Sequence, residues 1–229
     1  PDFEYILWNE EEFVKRKMNF TCQKKIDEIE EYCGKVDIMR IEILHKYGGL
    51  YVDADSICIE NVGELLKEKS FATYENEKFR KGLITNAIMA FTKEHELCKD
   101  MIDYIYDNKI SFCDTGKPPW MTTGPLLLTK LIEAKSYDLD ILPSYYFMPK
   151  HQTGYQYMGH GKVYAYHEWA STQNKIDGLN NISFQDIYLE PSLSVTMQIN
   201  SCKFEQMCEY LDWIKAQMGH FKIKIAIND

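Results

Sequence analysis

The sequence predicts an α/β domain, and three observations predict it. At 229 residues and 45% hydrophobic content, the chain is long and apolar enough to bury one sizeable core. Val36, Met39, Ile43 and Tyr47 recur at i, i+3, i+7 and i+11, a helical apolar stripe that runs into Gly48-Gly49. Directly after the glycines comes a short apolar strand, Leu50-Tyr51-Val52, which ends on Asp53-Ala54-Asp55.

Taken in order, residues 1–8 (PDFEYILW) read as a strand with Tyr5-Ile6-Leu7-Trp8 as its apolar centre, and residues 9–12 as an acidic turn. Residues 22–33 read as a helix, with Ile26, Ile29 and Cys33 at i, i+3 and i+7. On the next helix Asp37 and Arg40 lie three apart beside the apolar stripe and read as neighbouring surface groups. Gly48-Gly49 stops that helix, because glycine tolerates the left-handed conformation of a helix C-terminus.

If the chain stays extended past Val52, Asp53 and Asp55 point the same way. Two carboxylates at the C-terminal end of a strand can share one hard cation, and such ions sit between carboxylates and substrate phosphates. Ligands of open α/β sheets bind beyond the carboxyl ends of the strands. A D-x-D triplet by itself is more often a solvated turn. The preceding strand and glycine pair raise it to a metal–phosphate site of some kind.

Downstream, residues 62–66 read as a helical turn, 71–74 as a strand and 75–81 as a charged loop. Residues 82–91 (GLITNAIMAF) read as a buried strand in which Asn86 is the one amide, by default a satisfied core group. Residues 94–107 form an amphipathic helix carrying Leu97, Met101 and Ile105, assigned to packing. Residues 111–120 are a loop, and Met121-Thr122-Thr123-Gly124-Pro125 opens a helix through Ile132 with proline in its first turn. Free N–H groups and threonine hydroxyls at such a start suit anions or sugar hydroxyls, although plain N-capping by Thr123 fits the spacing equally well.

Residues 140–149 read as strand and turn, and Tyr145, Tyr146, Tyr155 and Tyr157 are candidates for stacking on a sugar face or for packing. Residues 163–166 read as a strand that ends at His167-Glu168-Trp169. A lone histidine is usually structural, but one at a strand end offers neutral imidazole, a good ligand for Mn2+. Phe204, Met207, Leu211, Ile214 and Met218 predict a helix, and residues 221–227 alternate as an edge strand does.

Net charge is −9, which argues against a nucleic-acid or anionic-membrane surface, while leaving room for a nucleotide whose diphosphate is neutralised by a metal. No apolar run reaches membrane-spanning length and no signal peptide opens the chain; a start at Pro1 suggests a fragment or processed chain. Seven cysteines with no C-x-x-C pair favour reduced thiols and a cytoplasmic location, with a truncated lumenal domain of the secretory pathway as the alternative.

Asp37-x-x-Arg40, Ile43-Leu44, Tyr47-Gly48-Gly49, Leu50-Tyr51-Val52 and Asp53-x-Asp55, in that order and spacing, resemble the core signature of the DXD-containing glycosyltransferase family. That family includes fungal initiating mannosyltransferases, and the glucosylating domains of large bacterial toxins carry a similar core. The resemblance implies a GT-A fold, a Rossmann-like mixed central sheet flanked by helices, with residues 1–190 as the transferase domain and 191–229 completing it or starting another. It implies a nucleotide-sugar donor, with UDP-hexose favoured over GDP-mannose, a glycan or other hydroxyl acceptor, Mn2+ or Mg2+, and retention of anomeric configuration.

Residue by residue, the resemblance gives Asp55 to the metal and Asp53 to metal and ribose, and Asp37 and Arg40 to donor-sugar hydroxyls. It places Asn86, Thr123 and Gly124 in the pocket. It returns His167 to the metal, with Trp169 and Ser171 at the phosphates. The family's first sheet strand has no counterpart here. No protein nucleophile or general base is assigned.

Two other classes compete. A phosphatase of the haloacid-dehalogenase type also uses an apolar strand ending in D-x-D, but it needs a later acidic pair, for which Asp138 and Asp140 are a poor substitute. A non-catalytic nucleotide-sugar binding module would keep the fold without turnover.

Overall fold

The computed structural model of the chain describes residues 3–67 and 70–169, together with the backbone of two later strands. The architecture is mixed α/β. Strands β1 (Gly49–Val52), β3 (Phe71–Asn76), β4 (Arg80–Phe91) and β5 (Asp140–Leu142) form one sheet in the order β1-β4-β3-β5. β3 and β5 run parallel, with Phe71 opposite Asp140. β2 (Ser56–Cys58) and β6 (Ala165–His167) form an antiparallel pair, and β7 (Val195–Ile199) and β8 (Ile223–Ile227) a parallel one.

The chain divides into two compact units. The first comprises Pro1–Tyr51, Asn61–Ser70 and Ala90–Leu139 and contains the α-helices of the described residues. Its axis is α3 (Tyr32–Tyr47), which packs on α4 (Glu96–Asp107) and on α6 (Pro119–Thr122), while α7 (Pro125–Ala134) packs on α4 and α6. The core they enclose includes Ile38, Ile41 and Leu44 of α3, Leu97, Met101 and Ile105 of α4, and Leu127 and Leu128 of α7. Burying each such side chain stabilises the fold by about 1.5–3 kcal/mol.

The buried ridge of α3 is therefore not the stripe read from the sequence: Val36, Met39 and Tyr47 are only half-buried. Gly48 ends the helix as expected, at φ +68°, with its N–H donating to Leu44 O at 2.8 Å. A side chain there would collide with the backbone of Lys93, whose nitrogen would lie 2.7 Å from the Cβ.

Other expectations in this unit fail as well. Residues 3–8 are irregular rather than a strand, and Phe3, Tyr5 and Leu7 are exposed. An apolar run becomes a strand only where a core takes up its side chains, and Phe3, Tyr5 and Leu7 stay in solvent. The helix expected over 22–33 is cut to α2 (Gln23–Glu28), because Ile29 turns extended at ψ 129°. Buried Glu42 of α3 accepts from the N–H groups of Thr21 and Cys22, at 2.6 and 2.8 Å, and so satisfies donors at the start of α2. Two short helices replace expected turn and loop: α1 (Glu10–Lys15), capped by Asn9, and α5 (Phe112–Thr115), capped by Ser111.

The second unit comprises Val52–Glu60, Phe71–Met89 and Asp140–Asp229. The charged stretch expected as a loop over 75–81 is instead the tip of a β3–β4 hairpin, whose turn is held by the Asn76 side chain accepting from the N–H groups of Lys78 and Phe79 at 3.0 Å each. The strand expected at 82–91 is present and lies inside β4, buried from Leu83 to Met89. Phe71 stacks on Phe147, with ring centroids 5.8 Å apart. The helix expected around 204–218 lies outside the described residues. Among the described residues no helix is long and apolar enough to cross a membrane.

Candidate functional site

The Asp53-Ala54-Asp55 segment is a turn, not a continuation of β1. Ser56 N–H closes it on Asp53 O at 3.0 Å, and the N–H of Asp53 donates to Ala87 O at 2.9 Å. β2 begins at Ser56, and its register places Ser56 opposite His167 at the end of β6. Glu168 N–H extends the ladder to Asp55 O at 3.0 Å. A tight turn, and not strand alternation, brings Asp53 and Asp55 together, and the β2–β6 register brings His167 beside them.

One donor atom each from Asp53, Asp55 and His167 lies within 4.8 Å of the others. Nε2 of His167 is 3.4 Å from Asp53 Oδ2 and 3.4 Å from Asp55 Oδ1. The side chains are 26%, 13% and 9% exposed, so the cluster is shielded but reachable. Two carboxylate oxygens and one imidazole nitrogen suit Mn2+, Mg2+ or a similar divalent ion. Nδ1 of His167 accepts from the Trp169 N–H at 3.1 Å, an arrangement that leaves the ring proton on Nε2, facing the carboxylates. Ligation through Nε2 requires that proton on Nδ1, so ligation and the Trp169 N–H contact exclude each other.

Asp37 and Arg40, read from the sequence as surface groups, are each only 6% exposed. Both belong to α3, and Arg40 Nη2 lies 3.4 Å from Asp37 Oδ1. The guanidinium also stands over the Tyr51 ring, 4.6 Å from its centroid. Burial of an Asp and an Arg together is tolerable because each is the other's partner. Thr123, fully buried, places its hydroxyl 3.3 Å from Asp37 Oδ2 and 3.1 Å from Pro119 O. It is not the N-cap of α7: that position is Gly124, at φ −100°. Gly124 sits where a Cβ would lie 2.8 Å from Asp37 Oδ2 and 2.9 Å from Trp120 Cα.

Asn86 is buried in β4. Trp169 follows β6 in a left-handed conformation, φ +53°, and its indole N–H donates to Lys150 O at 3.0 Å. Ser171 lies outside the described residues. Asp138 and Asp140 are not part of the Asp53–Asp55–His167 cluster. Sequence reading missed Tyr51 as the platform under Arg40, although it stands two residues before Asp53. It also missed His151, whose partner Glu75 is 76 positions away and leaves no local signal.

Residues 1–72, which include the D-x-D triplet, match the family model described as a glycosyltransferase sugar-binding region containing a DXD motif. Inositol phosphoceramide mannosyltransferase 3 of Schizosaccharomyces pombe is 29% identical over 136 residues, 56% of this chain and 36% of that protein. Mannosyl phosphorylinositol ceramide synthase SUR1 of Saccharomyces cerevisiae is 30% identical over 140 residues, 56% of this chain and 33% of that protein. The chain thus spans about a third of the length of these curated relatives. Among solved structures, the PaToxG glycosyltransferase superposes with a TM-score of 0.44 at 18% identity, covering 55% of this chain and 45% of that one.

Proposed function

We propose that the chain is the donor-handling part of a metal-dependent glycosyltransferase of the GT-A type, which moves a hexose from a nucleoside diphosphate sugar to a hydroxyl acceptor. The observation that carries this reading is the convergence of His167 with Asp53, 114 positions away, and with Asp55. The match of residues 1–72 to the DXD-containing sugar-binding region supports the same class.

In this reading Asp53, Asp55 and His167 hold a divalent ion, Mn2+ in preference to Mg2+ because an imidazole nitrogen completes the donor set. The ion would offset charge growing on the departing diphosphate. Asp53 also contacts the ribose, and Asp37 and Arg40 bind donor-sugar hydroxyls, as a carboxylate and a fork of N–H donors are suited to do. Thr123 and Gly124 act by fixing the Asp37 carboxylate. Asn86 contributes an amide to the pocket, and Trp169 and Ser171 belong to the donor side. The names of the curated relatives favour mannose as the hexose and a phosphoinositol-bearing lipid as the acceptor. The UDP-hexose preference rests on the breadth of the family.

The test is thermal stabilisation by UDP-glucose, UDP-galactose and GDP-mannose, each with and without Mn2+. Stabilisation that needs both sugar nucleotide and Mn2+, and that disappears in Asp55→Ala, is the expected result. No response to any sugar nucleotide sinks the proposal, and phosphate-ester hydrolysis without such a response replaces it with a phosphatase.

A further inference from the structure

Trp169 stands in a backbone conformation that bulky residues rarely adopt, so its surroundings must hold it there. Its indole N–H is engaged by Lys150 O at 3.0 Å, a contact that does not depend on the tautomer of His167. One side of the ring meets His167, centroids 4.7 Å apart, and another meets His151 edge-on at 5.0 Å and 73°.

His151 is 1% exposed, and both of its ring nitrogens have partners. Its Nδ1 accepts from the Thr153 N–H at 3.3 Å and lies 2.9 Å from Thr153 Oγ1. With Nδ1 accepting, Nε2 carries the ring proton and donates to Glu75 Oε1 at 3.2 Å. Glu75, also buried, is held in turn by Arg80 Nε at 3.2 Å. Phe79 stacks on the imidazole, 3° from parallel with centroids 6.1 Å apart.

A wall for an indole can be built from aliphatic side chains, which leave a ring several positions to settle into. Here the wall is a hydrogen-bonded network centred on two buried side chains, His151 and Glu75, which admits few alternative arrangements. We propose that Glu75 and His151 are positioning residues that hold the Trp169 ring beside His167, and so set the affinity of the donor site without touching the donor. This rests on the glycosyltransferase reading above, which gives Trp169 to the donor side. Arg80 orients Glu75, and Thr153 selects the tautomer of His151 that faces it.

The test is calorimetric titration with UDP and with GDP, each in Mn2+, of the wild type, His151→Ala, Glu75→Gln, Trp169→Ala and the His151→Ala/Trp169→Ala double variant. For whichever nucleotide binds the wild type, His151→Ala weakens binding about 10-fold, as loss of a supporting contact typically does. Glu75→Gln, which keeps the shape and an acceptor, weakens it less. Trp169→Ala costs at least as much as His151→Ala, and the double variant binds no worse than Trp169→Ala alone, because His151 acts through the indole.

Acrylamide quenching supplies a signature that a merely structural role would not give: His151→Ala raises the quenching of tryptophan emission, and the rise vanishes in a Trp169→Phe background. If His151→Ala does not fold, Glu75→Gln carries both measurements. Folded variants that bind as the wild type does, or a double variant whose loss is the product of the two single losses, overturn the positioning role alone. A wild type that binds neither nucleotide with Mn2+ overturns the glycosyltransferase reading and this role with it.

Discussion

The hydroxyl of Thr123 lies 3.3 Å from Oδ2 of Asp37, across 86 positions of the chain. One hydroxyl proton serves both this carboxylate and Pro119 O, so the bond ties α3 to the turn before α7 and leaves the buried Asp37 with a second partner besides Arg40. Thr123→Val removes the donor at constant shape and is expected to lower stability by about 1–3 kcal/mol, the range for a buried acceptor that loses a partner. Thr123→Ser keeps the hydroxyl and should lose less. Urea unfolding of the two variants checks the difference.

Gly124 is required by contact rather than by backbone conformation. Its φ of −100° is open to any residue, but a Cβ would meet Asp37 Oδ2 at 2.8 Å and the Trp120 backbone at 2.9 Å. Backbone on one side and a paired carboxylate on the other leave little room to yield. Gly124→Ala is expected to cost about 1–3 kcal/mol through overpacking, and to disturb the Asp37–Arg40 pair. A melting temperature equal to that of the wild type contradicts this.

Mn2+ at about 100 times its dissociation constant should stabilise the chain by about 2.7 kcal/mol, a rise in melting temperature of about 5–10 °C. Asp53→Asn, Asp55→Ala and His167→Ala should each shrink that rise, since each removes one of the three converging donors. Ca2+, which prefers six or more oxygen ligands, should stabilise less than Mn2+. Differential scanning calorimetry with and without chelator reads all three effects.

Two buried thiols set an alkaline limit. Burial pushes Cys98 up from 9.0 to about 12, and burial together with nearby Glu42 does the same for Cys22. A raised thiol keeps its proton in the folded state, so the stability it contributes is fully present below pH 9.0 and is lost as pH rises toward about 12. Stability should therefore fall across that window, and less steeply in Cys98→Ala, which should itself cost about 1 kcal/mol at neutral pH for the small cavity. At pH 8, iodoacetamide should label exposed Cys58 and Cys113 before Cys22 or Cys98.

On the acid side, the Tyr137 hydroxyl, 2.7 Å away, holds the Asp100 carboxyl below its usual value, with help from Lys135 at 3.0 Å. A lowered carboxyl contributes stability above its ordinary value and loses it as pH falls through the folded one. Tyr137→Phe should make acid unfolding begin at higher pH, by a small margin because the group is partly solvated. Unfolding midpoints followed by circular dichroism between pH 2 and 6 test the direction.

Much of the candidate site was legible in the chain because its parts are local. Gly48 ends α3, the strand into Asp53 is where the apolar run put it, and His167 ends a strand. What was misread depends on partners far off in sequence. Asp37 and Arg40 look like surface charges on a helical wheel, since nothing nearby says that Thr123 and Gly124 will close over them. Residues 3–8 carry a clean strand pattern, yet a strand exists only with a neighbour to pair with.

By itself the sequence determined the α/β class, the glycine-ended helix, the aspartate pair and the family they resemble, the last three carried by spacing within about 25 residues. Only the tertiary structure decided that Asp53 and Asp55 meet through a turn, because Ser56 N–H bonds Asp53 O instead of extending the strand. Only it decided that the β2–β6 register sets His167 opposite Ser56, and that Glu75 and His151 stand behind Trp169. The His151–Glu75 and His167–Asp53 contacts join residues 76 and 114 positions apart, and periodicity carries no information about such pairings.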